Sequence, residues 1–523
     1  VGSAEATPPG MVRAPGKAVD PLFTHLASVN MDDYWIDTYE VTNRAFKAFV
    51  DAGGYATEKF WEPRFATGDG RVLSWSEAMA RFHDSTGKPG PATWANGSYA
   101  KGEDNFPVTG VSWFEAAAYA RFIGKRLPSI YHWRYAAPVK EAMHLVRVSN
   151  FRGHGPASVG ESQGMNAHGT FDMAGNAKEW CWNEAESGKR YILGGGWRDP
   201  VYMFGTDDAA PPFDRSDQNG FRCVKLISDR PLDSRVDAPR VAHRRDYSAE
   251  KPVGDGEFQA FKTLYAYDRT NLDAVVESGD DSHRHWRKEI VAFNAAYNGE
   301  RMRAVVFLPK SSRPPYQTIV VFPGTDAQAI HSYTDELWEM PVIAAWIEHG
   351  RAVVYPILKS TYDRQVRRPA PDERVAWREL NIQLEKDVAR TIDYLETRRD
   401  IDSEKLAYIG LSWGAEMGPV ISALEPRIKV NVLVSGGLPN RPAMPEENLV
   451  NFAPHVSVPT LMVNGRYDYI FQYESSQVPL FKLLGTAPEH KRHVVFESGH
   501  VIPINPTNAE ISAWLDRYLG PVK

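Results

Sequence analysis

The chain has 523 residues, 43% apolar and 24% charged, with a formal net charge of −6 at pH 7; that length supports two or three domains, each able to bury its own core. The mild acidity offers no basic face for a nucleic-acid partner. No apolar run reaches the roughly 18 residues that a membrane-spanning helix needs.

From the amino terminus, residues 1–228 are rich in Trp, Gly and short irregular runs, and the clearest predicted helix covers 116–122. Six blocks follow one another here: Tyr39-Glu40-Val41-Thr42-Asn43, Pro107-Val108-Thr109-Gly110-Val111-Ser112-Trp113, Gly124-Lys125-Arg126-Leu127-Pro128, Asp172-Met173-Ala174-Gly175-Asn176 with Glu179-Trp180, Gly194-Gly195-Gly196-Trp197, and Gly220-Phe221-Arg222-Cys223. In this order they resemble the formylglycine-generating enzyme (sulfatase-modifying factor) family. The resemblance implies an α+β, C-type-lectin-like fold low in regular structure.

It does not extend to that family's chemistry, the oxidation of a substrate cysteine at a copper site made by two cysteines between the Gly-Gly motif and the final Gly-Phe-Arg-Cys. Here the segment from Trp197 to Asn219 holds no cysteine, and Cys181 and Cys223 lie outside it. A thiolate pair is what binds Cu(I), so the domain is expected to be inactive as an oxidase. Whether Cys181 and Cys223 form a disulfide is left open by spacing. Asn176 and Glu179 match family positions near a structural calcium, and oxygen ligands suit calcium; the same groups serve as internal hydrogen-bonding partners, the reading preferred here. No cofactor is expected to be required.

Residues 229–255 are polar, with scattered Pro and Gly and the pair Arg244-Arg245. They read as a linker or a strap over a domain surface, with the Arg pair solvated.

Residues 256–523 change character. Glu289-Ile290-Val291-Ala292-Phe293 and Arg303-Ala304-Val305-Val306-Phe307-Leu308-Pro309 are strand-like, and Thr318-Ile319-Val320-Val321-Phe322 is a buried strand ending in the turn Pro323-Gly324-Thr325-Asp326. The charged, Pro-containing stretch from Ser360 to Pro369 reads either as a lid or acyl-binding rim or as a solvated connecting loop. Next, Lys405-Leu406-Ala407-Tyr408-Ile409 runs as a strand into Gly410-Leu411-Ser412-Trp413-Gly414, and a helix begins at Ala415-Glu416-Met417. That strand, turn and helix are the setting a G-x-S-x-G nucleophile needs. The glycines answer crowding: a side chain at Gly410 or Gly414 would clash where the backbone folds back on itself.

Two further strands end in polar groups. Pro459-Thr460-Leu461-Met462-Val463-Asn464-Gly465 leads to Asp468, and His493-Val494-Val495-Phe496-Glu497 leads to His500. A serine hydroxyl is a poor nucleophile until a histidine takes its proton, and a carboxylate must hold that imidazole in the right tautomer; Ser412, His500 and Asp468 are assigned those roles. Rival histidines at 455, 490 and 493 do not follow a strand and a glycine, and Asp516, on a predicted amphipathic final helix, comes after His500 in the chain.

Over 256–523 these residues resemble the α/β-hydrolase superfamily, in its esterase and dienelactone-hydrolase-like branches. The resemblance implies a mostly parallel sheet, catalytic groups at the strands' carboxyl ends, and an oxyanion hole made by the backbone N–H groups of Thr325 or Asp326 and of Trp413. The competing reading of Phe-Pro-Gly is a plain strand terminator. A serine where dienelactone hydrolases carry cysteine points to ester hydrolysis. The pairing of the two domains resembles the tails of bacterial Ser/Thr kinases; no kinase motif is present, and the start Val1-Gly2-Ser3 is read as part of a longer polypeptide.

The expected function is a serine carboxylic-ester hydrolase acting on a small-molecule ester, with a non-catalytic amino-terminal domain. The alternatives are an acyltransferase or peptidase with the same triad, or a ligand- or partner-binding sensor or scaffold. A further expectation gives the amino-terminal aromatic loops a part in shaping the hydrolase's substrate site.

Overall fold

The computed structural model describes residues 7–522 apart from 17–28, 30, 68–69, 229, 241–244, 334–336, 338, 368 and 370–372. It divides into two compact units, Val1–Ala242 and His243–Lys523.

In the first unit, β1 (Met11–Ala14), β2 (Tyr34–Asp37) and β9 (Val224–Leu226) form one small antiparallel sheet, and β3 (Phe65–Ala66) pairs with β4 (Val72–Leu73). A four-stranded sheet has the order β7 (Ala209–Ala210), β6 (Arg190–Leu193), β5 (Lys178–Glu184), β8 (Asn219–Gly220). The helix expected over 116–122 runs over Trp113–Phe122, because Ser112 caps it: the Ser112 hydroxyl accepts from the Glu115 N–H while the Glu115 carboxylate accepts from the Ser112 N–H. Trp94, Trp113, Trp133 and Trp180 are buried and form part of this unit's core rather than exposed loops. Cys181 and Cys223 are buried free thiols.

The connector is bonded at both ends. Asn183 Nδ2 donates to the Val236 and Ala238 carbonyls, and the Arg240 N–H donates to the Glu184 carbonyl. Further on, Arg245 pairs with Glu250, donates to the Arg441 carbonyl and lies over the Tyr247 ring. Arg245 is therefore a packing and ion-pair residue, contrary to the solvated side chain expected; Arg244 lies outside the described residues.

The second unit is built on a nine-stranded sheet: β10 (Val275–Asp280), β11 (Trp286–Asn294), β12 (Arg301–Pro309), β14 (Ala352–Ile357), β13 (Tyr316–Phe322), β15 (Ile401–Leu411), β16 (Ile428–Val434), β17 (Thr460–Gly465), β18 (Lys491–Phe496). Pairings from β10 through β12 to β14 are antiparallel; all later ones are parallel. The central strands are near-continuous apolar runs because both faces are covered. Val320 and Phe322 pack with the helices Arg374–Glu396 and Trp413–Leu424, whereas Ile319 and Val321 pack with Met340–Glu348 and Ile504–Leu519, as the two-residue period of a strand requires. The strand order reverses between β13 and β15, and a crevice at such a switch point is where open α/β sheets bind ligands. The last helix is longer than the segment read from sequence, and Asp516 on it pairs with Arg351.

Candidate active site

The strand β15 turns at Ser412 into the helix Trp413–Leu424. Ser412 has φ 51° and ψ −103°, a conformation costly for a residue with a side chain and characteristic of functional sites. The surrounding backbone enforces it. A Cβ on Gly410 would stand 2.2 Å from the Gly414 carbonyl oxygen, and one on Gly414 would stand 2.2 Å from that of Phe322, so the crowding argued from sequence is physical. The Ser412 N–H donates to the Val434 carbonyl at 2.8 Å.

Ser412 Oγ lies 2.8 Å from His500 Nε2, and His500 Nδ1 lies 2.9 Å from Asp468 Oδ2. A carboxylate only accepts, so Nδ1 carries the ring proton and Nε2 is left to accept from the serine hydroxyl. Asp468 is buried, and its other oxygen accepts from the Ile470 and Phe471 N–H groups at 2.8 and 3.0 Å. Close packing brings the two loops together: a Cβ on Gly465 would sit 2.0 Å from the Gly499 carbonyl oxygen. Burial disfavours the charged imidazole, but the charge and hydrogen bond of Asp468, with the more distant charge of Asp326, outweigh it and raise the His500 pKa above its ordinary value. The rival histidines lie elsewhere: His455 stacks on Phe258, His490 bonds Tyr518, and His493 bonds Asn464 and is lowered to about 4 by burial.

The loop after β13 runs beside Ser412. A Cβ on Gly324 would be 3.7 Å from that of Ser412, Thr325 opens a short turn Thr325–Gln328, and the Gly414 N–H donates to the Pro323 carbonyl. Trp413, the first residue of its helix, has an N–H with no intrahelical acceptor by position. The structure thus gathers Ser412, Trp413, Asp468, His500 and the Thr325 loop at one end of the sheet.

Sequence reasoning missed several neighbours. Tyr469 and Phe471 place their rings 5.9 and 6.1 Å from the His500 ring. Glu339, buried at the start of the helix Met340–Glu348, accepts from the Gly324 N–H at 3.2 Å and from the Tyr355 hydroxyl at 2.7 Å, and Tyr355 bonds Tyr362 at 2.9 Å. The segment read either as a lid or acyl-binding rim or as a solvated loop is not a solvated loop over its first half. Ser360, Thr361 and Tyr362 are buried, and Arg364 is fixed to Asp387 and Glu300; Val366 and Arg367 are exposed, and Arg368 lies outside the described residues.

In the first unit, Glu179 accepts from Arg222 through both oxygens and from Trp133 Nε1. Asn176 accepts from the Ala157 N–H and from Asn150, and donates to Glu40. With a guanidinium against one group and N–H donors on the other, these two residues do not fit a calcium ion.

Comparison with known proteins agrees with this division. Residues 6–227 match the family model of the sulfatase-modifying factor enzyme 1-like domain, and residues 302–500, which contain Ser412, Asp468 and His500, match that of the dienelactone hydrolase family. Serine/threonine-protein kinase pkn1 of Chlamydia pneumoniae is 30% identical over 171 residues, which are 31% of this chain and 24% of the kinase. The formylglycine-generating enzyme of Streptomyces coelicolor is 31% identical over 192 residues, 30% of this chain and 60% of that enzyme. The chain therefore spans a quarter to three fifths of the length of these relatives. Among solved structures, acetyl xylan esterase 1 of Thermoanaerobacterium is similar at 15% identity and a TM-score of 0.41, covering 51% of this chain and 96% of the esterase. The chain thus joins a region similar to the sulfatase-modifying factor enzyme 1-like domain to an α/β-hydrolase-like region, built on a mostly parallel sheet, that is similar to the dienelactone hydrolase family.

Proposed function

We propose that the second unit is a serine carboxylic-ester hydrolase working through an acyl-enzyme. The observation that carries this reading is the continuous contact of Ser412 Oγ with His500 and of His500 with Asp468 at 2.8 and 2.9 Å, on a strained turn. As Ser412 Oγ bonds to the ester carbonyl carbon, its proton passes to His500 Nε2, and the carbonyl electron pair becomes an oxyanion facing the N–H groups of Thr325 and Trp413. Collapse breaks the bond to the alkoxy group, which leaves with the proton from His500 as the alcohol. Water then repeats the sequence on the acyl-enzyme and releases the acid. Asp468 keeps Nδ1 protonated and stabilises the imidazolium. The first unit serves as a non-catalytic accessory domain, since the cysteine pair of the oxidase is absent from its sequence. The match to pkn1 extends the proposal to a kinase domain in the same polypeptide.

The test is hydrolysis of p-nitrophenyl esters from acetyl to octanoyl by this chain and by Ser412→Ala. The expected loss of kcat is roughly 10⁶-fold. Turnover that survives the substitution removes the reading.

A further inference from the structure

The geometry points to Glu339 as the positioning residue of the oxyanion loop, acting through its hydrogen bond from the Gly324 N–H; this rests on the serine-hydrolase reading of the site. Glu339 is only 5% exposed, and its two carboxyl oxygens have separate tasks. One accepts from the Gly324 N–H at 3.2 Å, and the other accepts from the Tyr355 hydroxyl at 2.7 Å. Burying a carboxyl is expensive unless its bonds are made, and an apolar residue of the same size would leave both donors unsatisfied inside the fold. Gly324 is extended, with φ −73° and ψ 175°, and successive residues of an extended segment face opposite ways. Holding the Gly324 N–H on the Glu339 side leaves the next N–H, that of Thr325, for the Ser412 side.

The hold on this loop extends into a strained strap behind it. Tyr355 bonds Tyr362, and Gln328 and Ile330 of the loop are bonded by Ser360 and by Gln365 respectively. Ser360 and Tyr362 are both buried with positive φ, 68° and 48°. Strain of this kind persists only where surrounding structure over-determines it; here Arg364, bonded to the Ile357 carbonyl and to Asp387, supplies the anchor. Oxyanion donors act by being held in place before the charge develops, and Glu339 is where this scaffold meets the loop.

The experiment measures kcat and KM for p-nitrophenyl acetate, melting temperature, and the rate of Ser412 phosphonylation by a fluorophosphonate, in the full chain and in Glu339→Ala, Glu339→Gln and Tyr355→Phe. Glu339→Ala is expected to lower kcat about 10²-fold, as the loss of an oxyanion donor does, with KM within about threefold and phosphonylation slowed alike. Glutamine can accept from the Gly324 N–H and donate to Tyr355, so Glu339→Gln is expected to restore most of the rate, and Tyr355→Phe to fall between. A wild-type kcat in Glu339→Ala, or a change in KM alone, overturns the proposal. Should Glu339→Ala not fold, the other two decide: a glutamine variant as fast as wild type with a slower phenylalanine variant supports it, and equal rates in both overturn it. Failure of the hydrolase reading has a different signature, a wild-type chain that neither turns over esters nor is phosphonylated at Ser412, and it takes this proposal with it.

Discussion

The two units each gather a dense set of polar groups on a fold framework, and they do opposite things with them. In the first, Glu179 and Arg222 are both fully buried, and the guanidinium also donates to the Asp37 and Phe171 carbonyls while Trp133 completes the carboxylate. Every strong donor in that set is spent on a structural acceptor. In the second, Asp468 is spent in the same way, but the chain of bonds runs outward through His500 to a hydroxyl whose residue is half-buried. A motif carries chemistry when its last member keeps a face toward the substrate; otherwise the same residue types hold a fold together.

The largest effect that sharpens this contrast after loss of the nucleophile is at Asp468. Asp468→Asn keeps the shape of the side chain but presents an amide that can donate to Nδ1, favouring the tautomer whose Nε2 bears the proton. That ring cannot accept from Ser412. The expected result is a fall in kcat of about 10⁴-fold with a near-native melting temperature. An asparagine variant close to wild-type rate would show that His500 needs no orienting carboxylate.

How much of this was legible in sequence follows from how local each signal is. The elbow was legible because Gly410, Ser412 and Gly414 sit between an apolar strand and a helix, and the backbone clashes at the two glycines give that pattern its cause. Asp468 and His500 were legible as polar groups just past buried strands. Boundaries were less so: β15 begins at Ile401, which pairs with Tyr316 of β13, and the register shifts over the polar residues before the apolar run that starts at Leu406, opposite Thr318. Glu339 left no trace. It stands at the start of a helix, where a glutamate ordinarily faces solvent, and its partners Gly324 and Tyr355 lie 15 and 16 residues away in sequence. The strap at 360–364 was misread for the same reason: its charge is neutralised by Asp387 and Glu300 from other elements. In the first unit, strands of two to seven residues carry too short a period to read, and its fold was visible only through resemblance.

The contrast is tested from the other side at Arg222. Arg222→Met leaves Glu179 buried without its cation, a change that typically costs about 3–5 kcal/mol. The first unit is expected to melt earlier by calorimetry while Ser412-dependent ester turnover at 25 °C is retained. Parallel loss of turnover would mean that the hydrolase site depends on an intact first unit.

The smallest effect concerns Asp326, an exposed carboxylate on the loop beside Ser412. The proposed mechanism requires neutral His500, so activity is expected above the His500 pKa and is expected to be lost as pH falls through it. Asp468 and, more weakly, Asp326 raise that pKa against the opposing effect of burial, which places the acid limb of kcat/KM above the ordinary imidazole value near 6.5. Asp326→Asn removes one negative charge that favours the imidazolium without touching the Asp468 bond. The acid limb is therefore expected to move to lower pH, and the variant to gain activity relative to wild type in the acidic range. Because Asp326 is exposed, salt should screen its charge, so the difference between variant and wild type should shrink between low and high ionic strength while the limb set by buried Asp468 stays largely in place. A limb that does not move in Asp326→Asn, or moves upward, would leave Asp468 as the one carboxylate that tunes His500.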